Sequence, residues 1–158
     1  MAVLSFYVDG PLQSWGASSK FQYRETNGFP TKSAIVGLVA AAMGIDKHAA
    51  DEEEQLKPLV ALMYTVVRLE KRGVSLTRLQ DFHTVGGGYD KKASLYEKLS
   101  IPVKASGAPF GTVITRRSYL ADATFSVLLA GDAAVLQNVQ AALLDPVWGV
   151  WFGRKTCL

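Results

Sequence analysis

Residues 119–146, YLADATFSVLLAGDAAVLQNVQAALLDP, read as a strand running directly into a helix. The stretch 119–130 is short, apolar and rich in strand formers. Gly131 ends it, and Asp132 can accept a backbone N–H bond as the helix N-cap. Val135, Val139, Leu143 and Leu144 then recur at helical spacing, predicting a helix over 133–144 with these side chains inward. Asp145-Pro146 closes it, because the residue before proline is pushed out of helical backbone.

Working outward, VWGVWFG at 147–153 reads as a final strand. Upstream, 60–71 and 74–85 read as two strands around a turn near Arg72 and Gly73, the second with a bulge. At the N-terminus, AVLSFYVD at 2–9 is another strand, and a loop punctuated by Gly10, Pro11 and Gly16 runs on to Pro30. Ile35, Val36, Val39, Ala40 and Met43 form one apolar stripe of a helix capped by Thr31 or Ser33 and stopped at Gly44. A short acidic helix follows and ends before Pro58. Residues 86–112, broken by five glycines and two prolines, make an insertion of roughly 25 residues, a length that is usually functional or disordered. Without that insertion and one extra strand, the order is βαββαβ, an α+β ferredoxin-like domain with both helices on one face of an antiparallel sheet. Its 158 residues suit one domain, 1–158, without internal repeats.

Composition narrows the function classes. Hydrophobic residues make up 49% and charged residues 20%, which excludes wholesale disorder. The single Cys157 excludes an internal disulfide, and with only His48 and His83 a zinc site is not expected. Neither a signal peptide nor a membrane span is readable, so a reduced, cytoplasmic protein without cofactor is expected. The net charge of +3 is modest but unevenly spread. Asp46, Asp51, Glu52, Glu53 and Glu54 outweigh two lysines in one segment. Lys91, Lys92, Lys98, Lys104, Arg116 and Arg117 outweigh Asp90 and Glu97 in another, a balance that suits either a solvated basic loop or a phosphate backbone.

Three places carry candidate chemistry. GPLQSWG at 10–16 sets Gln13, Ser14, Trp15 and Gly16 on a glycine-flanked loop, where Trp15 either stacks on a base or covers the sheet edge. Lys32 and Ser33 sit on a helix's first turn, which attracts anions but also suits ordinary capping. DFHTV at 81–85, with His83, enters the insertion and TRRSY leaves it. Tyr89, Tyr96 and Phe110 interleave there with cations, as single-stranded RNA binding requires.

Together GPLQSWG, FPTKSAIVGLVAAAMG, DFHTV, TRRSYLADATFSVLLAG and PVWGVWFGRKTC closely resemble the CasD family along the whole chain. These are RRM/RAMP-type subunits of type I-E CRISPR Cascade complexes. The resemblance implies a ferredoxin-like domain whose insertion, 86–112, is a β-hairpin thumb. It implies a non-catalytic subunit that caps the 5′ handle of the CRISPR RNA, contacts the backbone and large subunits, and meets target DNA only indirectly. Gln13, Ser14, Trp15, Gly16, Lys32, Ser33, Arg154 and Lys155 would line the handle site, with Arg116 and Arg117 at the thumb's root. His83, Lys91, Lys92 and Lys104 complete the RNA-binding set. Family members continue past GRKTC, so a C-terminal segment usual among them is expected to be missing after Leu158.

Two other classes compete. Relatives from another subtype cut precursor RNA without metal, which needs a base, an acid and a cation; Tyr23, Lys32 and His83 could supply that set. A ferredoxin-like small-molecule binder is the third reading, since one fold hosts many functions.

Overall fold

The computed structural model describes residues 1–157 except 17, 71–74, 86–91, 93 and 95–112. Its organising element is β6 (Val113–Gly131), 19 residues long. Around its partners lie β1 (Ala2–Gln13), β2 (Ser19–Lys20), β3 (Tyr23–Arg24), β4 (Met63–Leu69) and β5 (Thr77–Val85). Helices α1 (Lys32–Met43), α2 (Glu52–Ala61) and α3 (Ala133–Leu144) complete a mixed α+β arrangement with one sheet. Among the described residues no helix is long and apolar enough to cross a membrane.

Strand period explains the layers. Ala123, Phe125, Val127 and Leu129 are buried, while Thr124, Ser126, Leu128 and Ala130 alternate with them on the other face. β1 pairs antiparallel with one edge of β6, from Ala2↔Gly131 to Gln13↔Leu120. β4 and β5 both pair antiparallel with β6, covering Ala130 to Thr124 and then Ala121 to Val113. A strand has two edges, so β4 and β5 lie in tandem opposite β1.

The expected hairpin between 60–71 and 74–85 is therefore corrected: these strands run in the same direction and never pair with each other. Both find a full ladder on β6. Their interruption coincides with a break in β6 itself, where Asp122 has φ 50. On the opposite edge, that break falls beside Pro11, which has no N–H to give a ladder. A left-handed residue costs about 1–2 kcal/mol for most side chains, and aspartate tolerates it better than branched ones. Asp122→Val should accordingly lower the unfolding free energy obtained from urea denaturation by that order, with Asp122→Gly near neutral.

α1 follows its sequence signals. Thr31 Oγ1 accepts from Ala34 N at 3.2 Å, and Gly44 ends the helix at φ 73. Ile35, Leu38, Val39 and Ala42 are buried, whereas Val36, Ala40 and Met43 pack only partly. In α3, Asp132 Oδ1 accepts from Ala134 N and Val135 N at 2.9 and 3.1 Å. Leu136 and Val139 are buried there, and Leu144, expected inward, is 80% exposed.

Two further expectations change. α2 does not end before Pro58 but continues to Ala61, which carries Leu59 into the core at the loss of one backbone bond. The stretch 147–153 is a loop rather than a closing strand. Its backbone groups are used elsewhere: Val147 N donates to Ala42 O at 2.8 Å, and Phe152 O accepts from Ser14 N at 2.9 Å. The described sheet thus has the central order β1-β6-β4 and lacks the fourth strand of βαββαβ.

Candidate nucleic-acid interface

The GPLQSWG segment turns inward. Gln13 is fully buried; its Nε2 donates to Ala123 O at 2.6 Å, and its Oε1 accepts from Trp15 Nε1 at 3.0 Å. Trp15 is 1% exposed. Its backbone N donates to Thr26 Oγ1, its carbonyl accepts from Asn27 N, and its ring lies 6.1 Å from that of Phe152. Of the two readings of Trp15, covering the sheet edge fits its burial; a ring this buried has no face free for a base. Ser14 is buried as well, its N–H held by Phe152. Gly16 alone of this set is exposed.

These buried residues shape a wall. Between the Gly16 loop, α1 and loop 149–154 runs a cleft of about 430 Å³. α1 presents Ala34, Gly37, Leu38 and Ala41 to it, mostly small side chains that let a ligand approach the helix backbone. Arg24 and Arg154 supply positive charge, and Glu25, whose Oε2 accepts from Ser118 Oγ at 3.1 Å, opposes it. Arg154 is held in place: it donates to Ser118 O at 3.0 Å and Arg24 O at 2.8 Å, and its guanidinium carbon lies 4.7 Å from the Tyr119 ring centroid. A guanidinium has five N–H groups, so donors remain for an anion. Lys155 extends this edge, 5.6 Å from the Trp151 ring.

The root of the insertion adjoins the cleft through β3, which runs parallel to β6 with Tyr23↔Arg116 and Arg24↔Arg117 in register. Arg117 donates to Thr115 Oγ1 at 3.1 Å and stands opposite Asp81 on β5. Arg24 and Arg117 sit side by side, an arrangement that destabilises a sheet unless opposite charge offsets it. Asp81 offers part of that, and a bound anion would add to it. His83, two residues on, has Nδ1 3.9 Å from Asp81 Oδ2. Arg24, Arg117 and Arg154 therefore gather where the cleft meets the arm formed by β5 and β6, with Arg116 on the opposite face of the strand.

Lys32 does not join them. Its Nζ donates to Val60 O at 2.6 Å, beside α2, on the flank of α1 lined by Ile35, Val36 and Val39. Ser33 is exposed, with Oγ 3.1 Å from Thr31 Oγ1. Lys92 is exposed on a turn, while Lys91 and Lys104 lie outside the described residues, as does nearly all of 86–112. Tyr23, Lys32 and His83 do not converge. Tyr23 is in register with Arg116 and His83 with Thr115, neighbours that point to opposite faces, and Lys32 is across α1. Among the described residues no three His, Cys, Asp or Glu side chains form a metal-binding group.

Sequence reasoning missed Arg24, Phe82 and Glu25. The FQYRE stretch at 21–25 carried a signal in its two rings and one cation, but a ribbon of two-residue strands leaves too little periodicity to read.

Residues 3–158 match the family described as CRISPR-associated protein (Cas_Cas5). The chain is 32% identical over 156 residues to "CRISPR system Cascade subunit CasD" of Escherichia coli (strain K12), covering 94% of this chain and 63% of the relative. It is similar to a chain of a solved "CRISPR RNA-guided surveillance complex" with TM-score 0.79 and 34% identity, covering 99% of this chain and 59% of the other. A second structure, "Crystal structure of Cas protein", gives TM-score 0.62 and 32% identity, covering 98% and 58%. The chain thus spans about three-fifths of the length of each of these proteins.

Proposed function

The chain belongs to the Cas5 family of CRISPR-associated proteins, and on that footing we propose that it is a non-catalytic RNA-binding subunit of a type I-E Cascade complex. It holds the 5′ handle of the CRISPR RNA in the cleft beside α1. Its neighbours are the backbone and large subunits, and it works in the cytoplasm in antiviral defence. Its plan is a single ferredoxin-like RAMP domain with 86–112 as the thumb, a reading supported by the central order β1-β6-β4 with α1 in one crossover. The observation that carries the function is the gathering of Arg24, Arg117 and Arg154 at one end of a cleft walled by small residues. Such a cluster replaces counterions along a phosphate backbone. The failure of Tyr23, Lys32 and His83 to converge speaks against cleavage.

The test is fluorescence anisotropy of a labelled CRISPR repeat RNA with the pure protein in EDTA over graded salt. Binding with intact RNA is expected; site-specific cuts would overturn the non-catalytic assignment. Each phosphate contact contributes about 0.7 to the salt slope for single strands, so Arg116→Ala with Arg117→Ala should reduce its magnitude by about 1.4. An unchanged slope removes this pair from the interface.

A further inference from the structure

Tyr23, Arg116 and Phe82 form a row across three adjacent strands. Arg116 is in register with Tyr23 on one side and with Phe82 on the other, so the three side chains share one face. Tyr23 is 48% and Phe82 59% exposed, and Arg116 is exposed between them. Arg116 Nη1 donates to the Tyr23 hydroxyl at 3.3 Å, and its guanidinium carbon is 5.6 Å from that ring's centroid. Among the described residues Arg116 makes no ion pair.

A single exposed aromatic on a protein surface needs no explanation. Two rings flanking a cation that has no carboxylate partner among the described residues are different. The rings provide stacking area, and the guanidinium provides a planar donor for phosphate or a further stacking plane. A protein-docking patch would favour an apolar or carboxylate-paired centre instead. Phe82 and Tyr23 stand two strand spacings apart, roughly 9–10 Å. That exceeds the ~3.4 Å rise between stacked nucleotides, so one stack cannot cover both rings.

We propose that this row is a platform for two splayed, unpaired nucleotides of an RNA strand, one base on each ring and the intervening phosphate on Arg116. The inference rests on the RNA-binding reading above and assigns the part of it that touches bases. Stacking tolerates any base, so the platform fixes the strand's path rather than its sequence.

The test measures binding of a fluorescein-labelled single-stranded oligoadenylate, and of the same oligomer made abasic at every position, to the full chain and to Phe82→Ala. Phe82→Ala should weaken binding of the intact oligomer by about 5- to 150-fold, with the salt slope unchanged. It should barely affect the abasic oligomer, because the base that used the ring is gone. Equal weakening of both oligomers, or none, overturns the platform while leaving RNA binding standing. Failure of the unsubstituted chain to bind any RNA overturns both. Should Phe82→Ala melt early, photocrosslinking of a 5-iodouridine oligomer to the unsubstituted chain replaces it. Adducts on Phe82 or Tyr23 support the platform, and adducts only elsewhere refute it. Protection of both rings by a protein partner but not by RNA would make the row a docking surface.

Discussion

Trp15→Ala lowers the stability of the fold by about 3–5 kcal/mol, the usual cost of deleting a buried tryptophan. The indole fills the space between the end of β1 and Phe152. It is also a hydrogen-bond donor to Gln13 Oε1, so its removal leaves a buried acceptor without that partner, at a further cost of about 1–3 kcal/mol. Domains hold only about 5–15 kcal/mol in total, so a large share is lost and the melting temperature falls by roughly 10 °C or more. Thermal unfolding checks this directly. Normal melting together with weakened RNA binding would instead return Trp15 to the role of a base platform.

Gly153→Ala detaches the last loop. Gly153 has φ +97, and a Cβ there would stand 1.7 Å from Ser14 O. Ser14 O is a backbone atom and the position of a Cβ is fixed by its own backbone, so no rotamer change relieves the clash. The Ser14–Phe152 bond at 2.9 Å must break for the loop to move, and Arg154 then leaves Ser118 and Arg24. Cys157 reports the event, being fully buried and the sole thiol. Backbone strain of 1–3 kcal/mol corresponds to roughly a 5- to 150-fold rise in its labelling by an aromatic disulfide reagent. RNA affinity should fall in the same variant. A labelling rate equal to that of the unsubstituted chain would mean the loop tolerates the methyl group.

Much of the fold was legible because local signals and tertiary demands agreed. Gly131-Asp132 separates β6 from α3 with a side chain that does cap, and Gly44 stops α1 where a left-handed residue was expected. The failures share another cause. VWGVWFG has strand-like composition, but its backbone donors and acceptors are taken by α1 and Ser14, a choice made by distant parts of the chain. β4 and β5 resembled a hairpin because sequence does not reveal that one strand is long enough to pair with both.

The site divided in the same way. Arg116 and Arg117 could be singled out as cations at the root of a glycine-rich insertion and Arg154 as one after the last apolar stretch; Arg117 and Arg154 both adjoin Arg24. Lys32 looked equally suitable, yet a helix has several flanks and its first turn points this ammonium at the end of α2. Trp15 read equally well as a base platform or as cover for the sheet edge, and it is buried with its indole N–H donated to Gln13.

The left-handed Asp122 splits the longest strand's hydrogen bonding into two stretches, with Thr124 the last residue paired to β4 and Ala121 the first paired to β5. Amides of 113–118, beyond the β1 ladder, can therefore open to solvent as one unit while those of 120–131 stay closed with the core. A ligand held by Arg116 and Arg117 would slow deuterium uptake in the first group and leave the second unchanged. Occupancy at this end of the molecule is then visible in exchange kinetics even where it barely moves global unfolding.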